Sequence, residues 1–585
     1  MILQALYAYY LRKCKHADPR ERLPAFGLEE KEIPFIVELS AEGNLLGITD
    51  TRQGDGKKKV ARRYLVPKGV KRSSGVAANL LWDTAEYVLG IDTRGRPERV
   101  AKQHAAFRQR IADLPETARS DAGIQALERF YANGGVALLT TDPCWPEILA
   151  SNPVLSFRLH NDDDLICQRP DVVPLSGGDD EPGESSAVCL ITGELSTTER
   201  LHTAIKGVWG AQSSGATLVS FNLDAFVSFN KQQGDNAPVS PIAAFAYTTA
   251  LNHLLDRNSR QRIQVGDAST VFWAQQEDAE VESAFAAIFG EADDPDARTE
   301  QVRGVLSAVH SGQFDGGRGE NRFYVLGLAP NAARIAVRFW QAAPLREIAQ
   351  RIRQWFDDLK MVRANKDPEY PSLFRLLAAC AQQGKSDNIP PNLGGDLIRA
   401  ILSGGPFPAS WLNAAVQRCR AEQSVTYLRA AAIKACLNRS RRASDSLSDF
   451  SFIQEFSDML DLENPHPAYR LGRLFAVLEK IQEEANPGLN ATIRERYYGA
   501  ASSNPVAVFT TLLRLKNHHL AKLSNRRRVV NFERLLGEIL DGVTDFPRHL
   551  RLPDQGRFSL GYYHQRQDFF TKSTPSEAST QGDLK

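Results

Sequence analysis

At 585 residues the chain is too long for one hydrophobic core, so roughly two to four domains are expected. An apolar content of 42% and a charged content of 24% are those of a soluble globular protein, and a net charge of +1 excludes a global field that attracts nucleic acid. The seven cysteines include no C-x-x-C pair, which speaks against a disulfide framework or a zinc ribbon and for a reducing compartment.

The opening "MILQALYAYYLRK" predicts an amphipathic helix from Ile2 to about Lys13. Its apolar run precedes its charges and no small-residue cleavage site follows, so it reads as packed structure of a cytoplasmic protein rather than a secretory signal. No apolar run approaches the ~18 residues of a membrane span. "IPFIVELS" and "NLLGITDT" flank the turn Ala41–Asn44 and predict a hairpin, and "RRYLVP" a third strand stopped by Pro67. "LLWDTAEYVLG" has helical spacing with Gly90 as its left-handed terminator, and helices follow over 97–113 and 117–132. The segment 172–186 is rich in Gly, Pro, Ser and acids and reads as a solvated loop.

"SGATLVSFN" reads as a buried strand. "SPIAAFAYTTALNHLLD" reads as a helix capped by Ser240 with Pro241 in its first turn. Its apolar positions are Ile242, Phe245, Ala246, Leu251, Leu254 and Leu255. Between them lies a loop of amides and rings, with Asn230, Gln232, Gln233 and Asn236 around a turn in which Gly234 would supply a positive φ. Phe226 and Phe229 fit either stacking or a core strand. From about 341 the pattern is helical, broken at Pro390-Pro391, Gly404-Gly405-Pro406 and Pro465. The expected architecture is α+β. A mixed α/β amino-terminal domain spans 1–340 and a helical connecting region 341–450. A helical bundle over 451–571 and a disordered tail over 572–585 complete it.

There is no phosphate loop, H-E-x-x-H, G-x-S-x-G or kinase signature. "HNDDDLIC" (160–167) places three consecutive aspartates on no common face, a poor metal cage, and His518 and His519 point about 100° apart on a helix. No cofactor, metal or catalytic group is expected. A nuclease using His160 with Asp162–Asp164, or His202, is the enzymatic alternative. Two basic segments are the positive signals. Between Arg52 and Arg72 nine Lys or Arg face one acid, and the run continues into "SSGVAAN". The second, "RLKNHHLAKLSNRRRVVNFER", spans 514–534.

"HTAIKGVWGAQSSGATLVSFNLDAFVSF", "QQGDNAPVSPIAAFAYTTALNHLL" and "VFWA", with "MILQALYAYY" and "GRFSLGYYHQRQDFF" at the ends, resemble the large subunit of the type I-C CRISPR surveillance complex (Cascade) across essentially the whole chain. The resemblance implies a subunit that reads the protospacer-adjacent motif (PAM) in double-stranded DNA, promotes duplex opening and R-loop formation, and supports recruitment of a separate helicase-nuclease. The implied partners are a guide RNA, target DNA, repeated backbone subunits and the RNA-processing subunit. A small subunit made by internal translation of the same gene is implied as well. Met459 would start a product of about 127 residues, a helical-bundle length. A purely architectural RNA- or protein-binding subunit is the alternative.

The residues themselves suggest the contacts. Lys57, Lys58, Lys59, Arg62, Arg63, Lys71 and Arg72 would grip duplex phosphates. Ser73, Ser74, Gly75 and Asn79 would read the groove. Asn230, Gln232, Gln233 and Asn236 would form a wedge or reading loop. Arg514, Lys516, Lys522, Arg526, Arg527 and Arg528 would guide the displaced strand.

Overall fold

A computed structural model describes residues 1–18, 21–54, 59–70, 75–169, 172, 187–265, 268–290, 302–304, 307, 317–444 and 455–570. Two compact units are interleaved in sequence. The first combines Met1–Thr203 with Val219–Leu251, the second Ala204–Leu218 with Asn252–Lys585. Most of the expected loop at 172–186 and all of the tail at 572–585 lie outside the described residues.

In the first unit, helix α1 (Ile2–Cys14) forms where expected. The predicted hairpin is β2 (Phe35–Leu39) and β3 (Leu45–Asp50). Phe35, Ile36, Val37 and Leu39 are all buried, so β2 is a central strand covered on both faces. Strand β4 (Arg63–Pro67) also forms, but it pairs with β1 (Leu28–Glu32) in a separate antiparallel ribbon. The main sheet has the order β3-β2-β6-β5, with β5 at Trp82–Thr84 and β6 at Val154–Leu159. Only the β2–β6 pair is parallel.

The stretch read as one helix from Leu80 to Leu89 is therefore strand β5 followed by a short α2 (Ala85–Leu89). Pairing of β5 with β6 outweighs the helical spacing of its side chains. Gly90 does take the left-handed conformation, at φ +68°, and a Cβ there would come within 2.9 Å of the His104 ring. Helix α3 (Pro97–Ala112) follows. The next predicted helix is divided into α4 (Glu116–Arg119) and α5 (Ala122–Ala132). Asp121 separates them because its Oδ1 accepts from Gly123 N–H at 2.7 Å and caps α5. Helices α2, α3 and α5 cover the sheet through Val88, Phe107, Leu127 and Phe130.

Helix α6 (Trp145–Ser151) precedes β6, and β7 (Ala187–Val188) and β8 (Leu195–Ser196) form a small ribbon. No strand forms over "SGATLVSFN". Ala216 and Thr217 make isolated bridges to Ile205 and Arg334, and at Val219 the chain passes from the second unit to the first. A segment divided between two units has no single sheet to join. Helix α7 (Pro241–Leu254) begins as predicted, with Ser240 Oγ accepting from Ala243 N–H at 3.3 Å. Phe245, Ala246, Leu251, Leu254 and Leu255 are buried, whereas Ile242 is 45% exposed in the first turn.

The second unit holds an antiparallel meander of β9 (Arg262–Val265), β10 (Ala268–Ala274), β11 (Arg322–Asn331) and β12 (Arg334–Pro344). Phe272 and Phe323 on one face pack on Phe285 of α8 (Ala279–Phe289), at ring distances of 4.7 and 5.1 Å. Helix α9 (Leu345–Leu359) buries Leu345, Ile348, Ala349, Ile352, Trp355, Phe356 and Leu359, the stripe its sequence spacing dictates.

Every later regular element among the described residues is helical. These are α10 (Leu373–Cys380), α11 (Leu393–Ser403), α12 (Ala409–Ala421) and α13 (Tyr427–Ser444), then α14 (Pro467–Ala485), α15 (Ile493–Ala501), α16 (Pro505–Lys522), α17 (Arg526–Asp541) and α18 (Leu552–Asp568). Breaks fall at the predicted Pro390-Pro391, Gly404-Gly405-Pro406 and Pro465, and further ones that were not predicted separate α12 from α13 and each of α14 to α17 from the next. A single hydrophobic cluster runs from Ile263 to Tyr563, so the regions 341–450 and 451–571 share one core. At its centre α14 and α18 touch backbone to backbone. A Cβ on Gly472 would overlap the Phe558 carbonyl, and one on Gly561 the Tyr469 carbonyl.

Candidate nucleic-acid interface

The first basic segment begins just after β3 and runs into strand β4 of the first unit. Gln53 and Val60 pair through two backbone hydrogen bonds of 2.9 and 3.0 Å, and Lys59 beside them is exposed. Arg62 is exposed and lies over Tyr64, 5.2 Å from the ring centroid. Arg63 sits across the ribbon from Glu30 and Glu32, at 3.9 and 3.5 Å. Arg52, counted in the same run, is a structural residue. Its side chain is 14% exposed, bonds Asp50 at 2.8 Å and Glu147, and covers the Phe35 ring. These contacts hold the Asp50 and Glu147 carboxyls below their ordinary range. Lys57, Lys58, Lys71, Arg72, Ser73 and Ser74 lie outside the described residues.

Gly75 is exposed at φ +101° with open space around it. Asn79 is only 6% exposed. Its Oδ1 accepts from Val70 N–H at 2.9 Å, and its own N–H donates to Asp83 Oδ2 at 2.9 Å. The side chain expected to read a groove thus ties together the two ends of the 70–79 segment. Trp82 Nε1 donates to Pro67 O at 2.7 Å and fixes the same base to the ribbon.

Sequence reading missed a further set of bases. From Arg94 to Arg110 six Lys or Arg face one acid, Glu98, a count that was available from the sequence. Arg96, Arg99, Lys102 and Arg108 are exposed on or beside α3. Arg110 turns inward, where its Nη1 donates to Ala78 O at 2.9 Å. That bond fastens α3 to the segment carrying Gly75 and Asn79, which follows the first basic stretch in sequence.

The amide loop is also in the first unit. Gln232 and Asn230 are exposed, and Gln233 is half-buried. Asn236 is a brace: its Oδ1 accepts from Ser228 N–H at 3.1 Å, and its Nδ2 donates to Lys231 O and Gln233 O at 2.9 and 3.0 Å. The left-handed residues are Phe229, Asn230 and Gln233, not Gly234. Gly234 is needed for close approach, since a Cβ would overlap the Glu199 carbonyl.

In the second unit the 514–534 segment forms the end of α16 and the start of α17. Lys516 pairs with Glu533 at 3.2 Å, and Arg528 bonds Glu484 at 2.7 and 2.9 Å while covering Phe532. Lys522 donates to Asn486 Oδ1 at 2.9 Å. Arg514, Arg526 and Arg527 are exposed and carry no ion pair among the described residues. Arg526 and Arg527 stand in the first turn of α17, where the helix dipole disfavours a cation.

Of the residues weighed for metal chemistry, His160 is exposed and Asp162 bonds Arg169. His202 is buried with Nδ1 2.6 Å from the Tyr247 hydroxyl. Among the described residues no group of three or more His, Cys, Asp or Glu is arranged to hold a metal ion, and no helix is long and apolar enough to cross a membrane.

The exposed bases form local positive surfaces on a chain whose net charge is +1. Residues 6–570 match the family model described as CRISPR-associated protein (Cas_Csd1), and the chain belongs to that family. The family supports a large subunit of Cascade and is consistent with type I-C. No curated protein matches the chain.

Proposed function

We propose that this chain is the PAM-reading subunit of the complex, with no catalytic step of its own. Exposed Lys59 and Arg62, together with the neighbouring lysines at 57 and 58, hold duplex phosphates, and Arg96, Arg99 and Lys102 extend that grip. The segment 71–78 enters the groove, with Asn79 as the residue that positions it. The amide loop acts where the duplex first opens. Arg514, Arg526 and Arg527 guide the displaced strand, and the opened complex supports recruitment of a helicase-nuclease.

The observation that carries this reading is the Arg110–Ala78 bond. It joins the Arg- and Lys-bearing α3 to the segment that follows the first basic run, which supports groove readout between phosphate contacts. A carboxy-terminal product beginning at Met459 would comprise α14 to α18 and serve as the small subunit.

The test is a gel shift with the assembled complex, with and without this subunit, on duplexes carrying a correct or a scrambled PAM. Discrimination that requires this chain supports the reading. Equal binding of both duplexes, with assembly dependent on the chain, favours the architectural alternative.

A further inference from the structure

The strained point of the amide loop is not an amide. Lys231 N–H donates to Ser228 O at 2.9 Å, and the two residues between them, Phe229 and Asn230, have φ of +50° and +58°. Two left-handed central residues define a type I′ turn, which favours Asn, Asp and Gly. Asn230 fits that preference. Phe229 opposes it, because its Cβ crowds the backbone.

The ring gains no packing in return. It is 96% exposed, more than any other large apolar side chain among the described residues. Below it the turn is held by the three hydrogen bonds of Asn236 and by Gly234, whose N–H donates to Arg200 O at 3.2 Å. A bulky ring kept in an unfavourable conformation, in solvent, on a braced support, is an outlier that points to function.

The chemistry around the ring selects its occupant. From Phe226 to Gln233 the tip carries Lys231 and no acid, and Asn230, Lys231 and Gln232 are exposed beside the ring. An apolar protein socket would desolvate these groups without replacing their water. A nucleobase offers a π-face to the ring, donors and acceptors to the amides, and a phosphate to the lysine. We infer that Phe229 is an apolar wedge that stacks on a nucleobase at the step where duplex DNA opens, an inference that rests on the DNA-opening role proposed above.

The test uses the full complex with guide RNA and a PAM duplex carrying 2-aminopurine at the first pair to open. With Phe229→Ala, duplex affinity stays within about twofold of the parent while the opening rate falls about tenfold, the scale of one missing base–aromatic stack. Phe229→Trp restores the rate. Phe229→Gly slows opening equally but unfolds at the same or a higher temperature, because the strain is gone; this separates loss of the wedge from loss of fold. Opening at the parental rate in Phe229→Ala, with DNA binding intact, overturns the wedge and leaves PAM reading standing. Loss of a subunit from the Phe229→Ala complex on native mass spectrometry overturns it in favour of a protein contact. Failure of the parent complex to bind duplex in a PAM-dependent way overturns both readings.

Discussion

Asn79 and Asn236 show how an amide that looks like a reader is spent on structure. Each satisfies backbone groups of its own loop, so neither has its full hydrogen-bonding edge left for a base. Asn79→Ala leaves the Val70 N–H without its partner, at a cost of about 1–3 kcal/mol. The expected result is a lower unfolding temperature together with reduced discrimination between correct and incorrect PAMs, because the segment is no longer held in place. Relaxed discrimination at unchanged stability would return Asn79 to a reading role. His564 is a second residue whose burial has a measurable consequence. It lies in the second unit against Tyr469, whose hydroxyl is 2.9 Å from Nδ1. Desolvation first, then the nearby Lys434 charge, pushes its pKa down to about 4. The unfolded imidazole titrates near 6.5, so between about pH 6.5 and 4 the unfolded state binds the extra proton. Stability therefore falls as pH falls through that window and is unaffected above it. Urea midpoints should drop between pH 7 and pH 5 by more in the parent than in His564→Gln.

The tightest constraint among the elements is the crossing of α14 and α18. Gly472 and Gly561 let two backbones meet, with no flexible side chain to move aside. Gly472→Ala is expected to destabilise by at least about 2 kcal/mol, through overpacking that outweighs its better helix propensity. A chemical denaturation curve of the full chain checks this. At α17 the logic is reversed. Arg526 and Arg527 are exposed cations in a first turn, so Arg527→Glu should stabilise the free protein by about 0.3–1 kcal/mol through the helix dipole. The same change should weaken retention of single-stranded DNA, measured by fluorescence anisotropy. Retention equal to the parent would remove α17 from the displaced-strand path.

For the whole molecule, a net charge of +1 means that salt sensitivity must come from patches rather than from the overall field. Neutralising Lys57, Lys58 and Lys59 together should weaken binding to every duplex. It should also flatten the plot of log affinity against log salt by about 0.9 for each phosphate that the protein no longer neutralises. An unchanged slope would place the grip elsewhere, with Arg96, Arg99 and Lys102 the first alternative. A chain beginning at Met459 would leave one side of α18 uncovered. Gly556 there faces Ile433 of α13 and Leu412 of α12, at hypothetical Cβ distances of 3.0 and 3.4 Å. Mass spectrometry of the expressed complex tests whether the fragment exists.

The sequence determined what depends on neighbours along the chain. The hairpin around Ala41–Asn44, the Ser240 cap of α7, the apolar stripe of α9 and the helical second half all follow from local spacing and capping. The base-rich stretches at 52–72 and 514–534 were equally legible as compositions. Only the tertiary structure decided which charges are spent and which remain. Arg52 is paired with Asp50 and Glu147, Arg528 bonds Glu484 from another helix, and Arg110 turns inward to brace a loop. It also decided that Trp82–Thr84 joins a sheet, that residues 214–222 divide between two units, and that Phe229 stands in solvent. The reason is the same in each case: pairing and exposure depend on residues distant in sequence, and local periodicity carries no information about them.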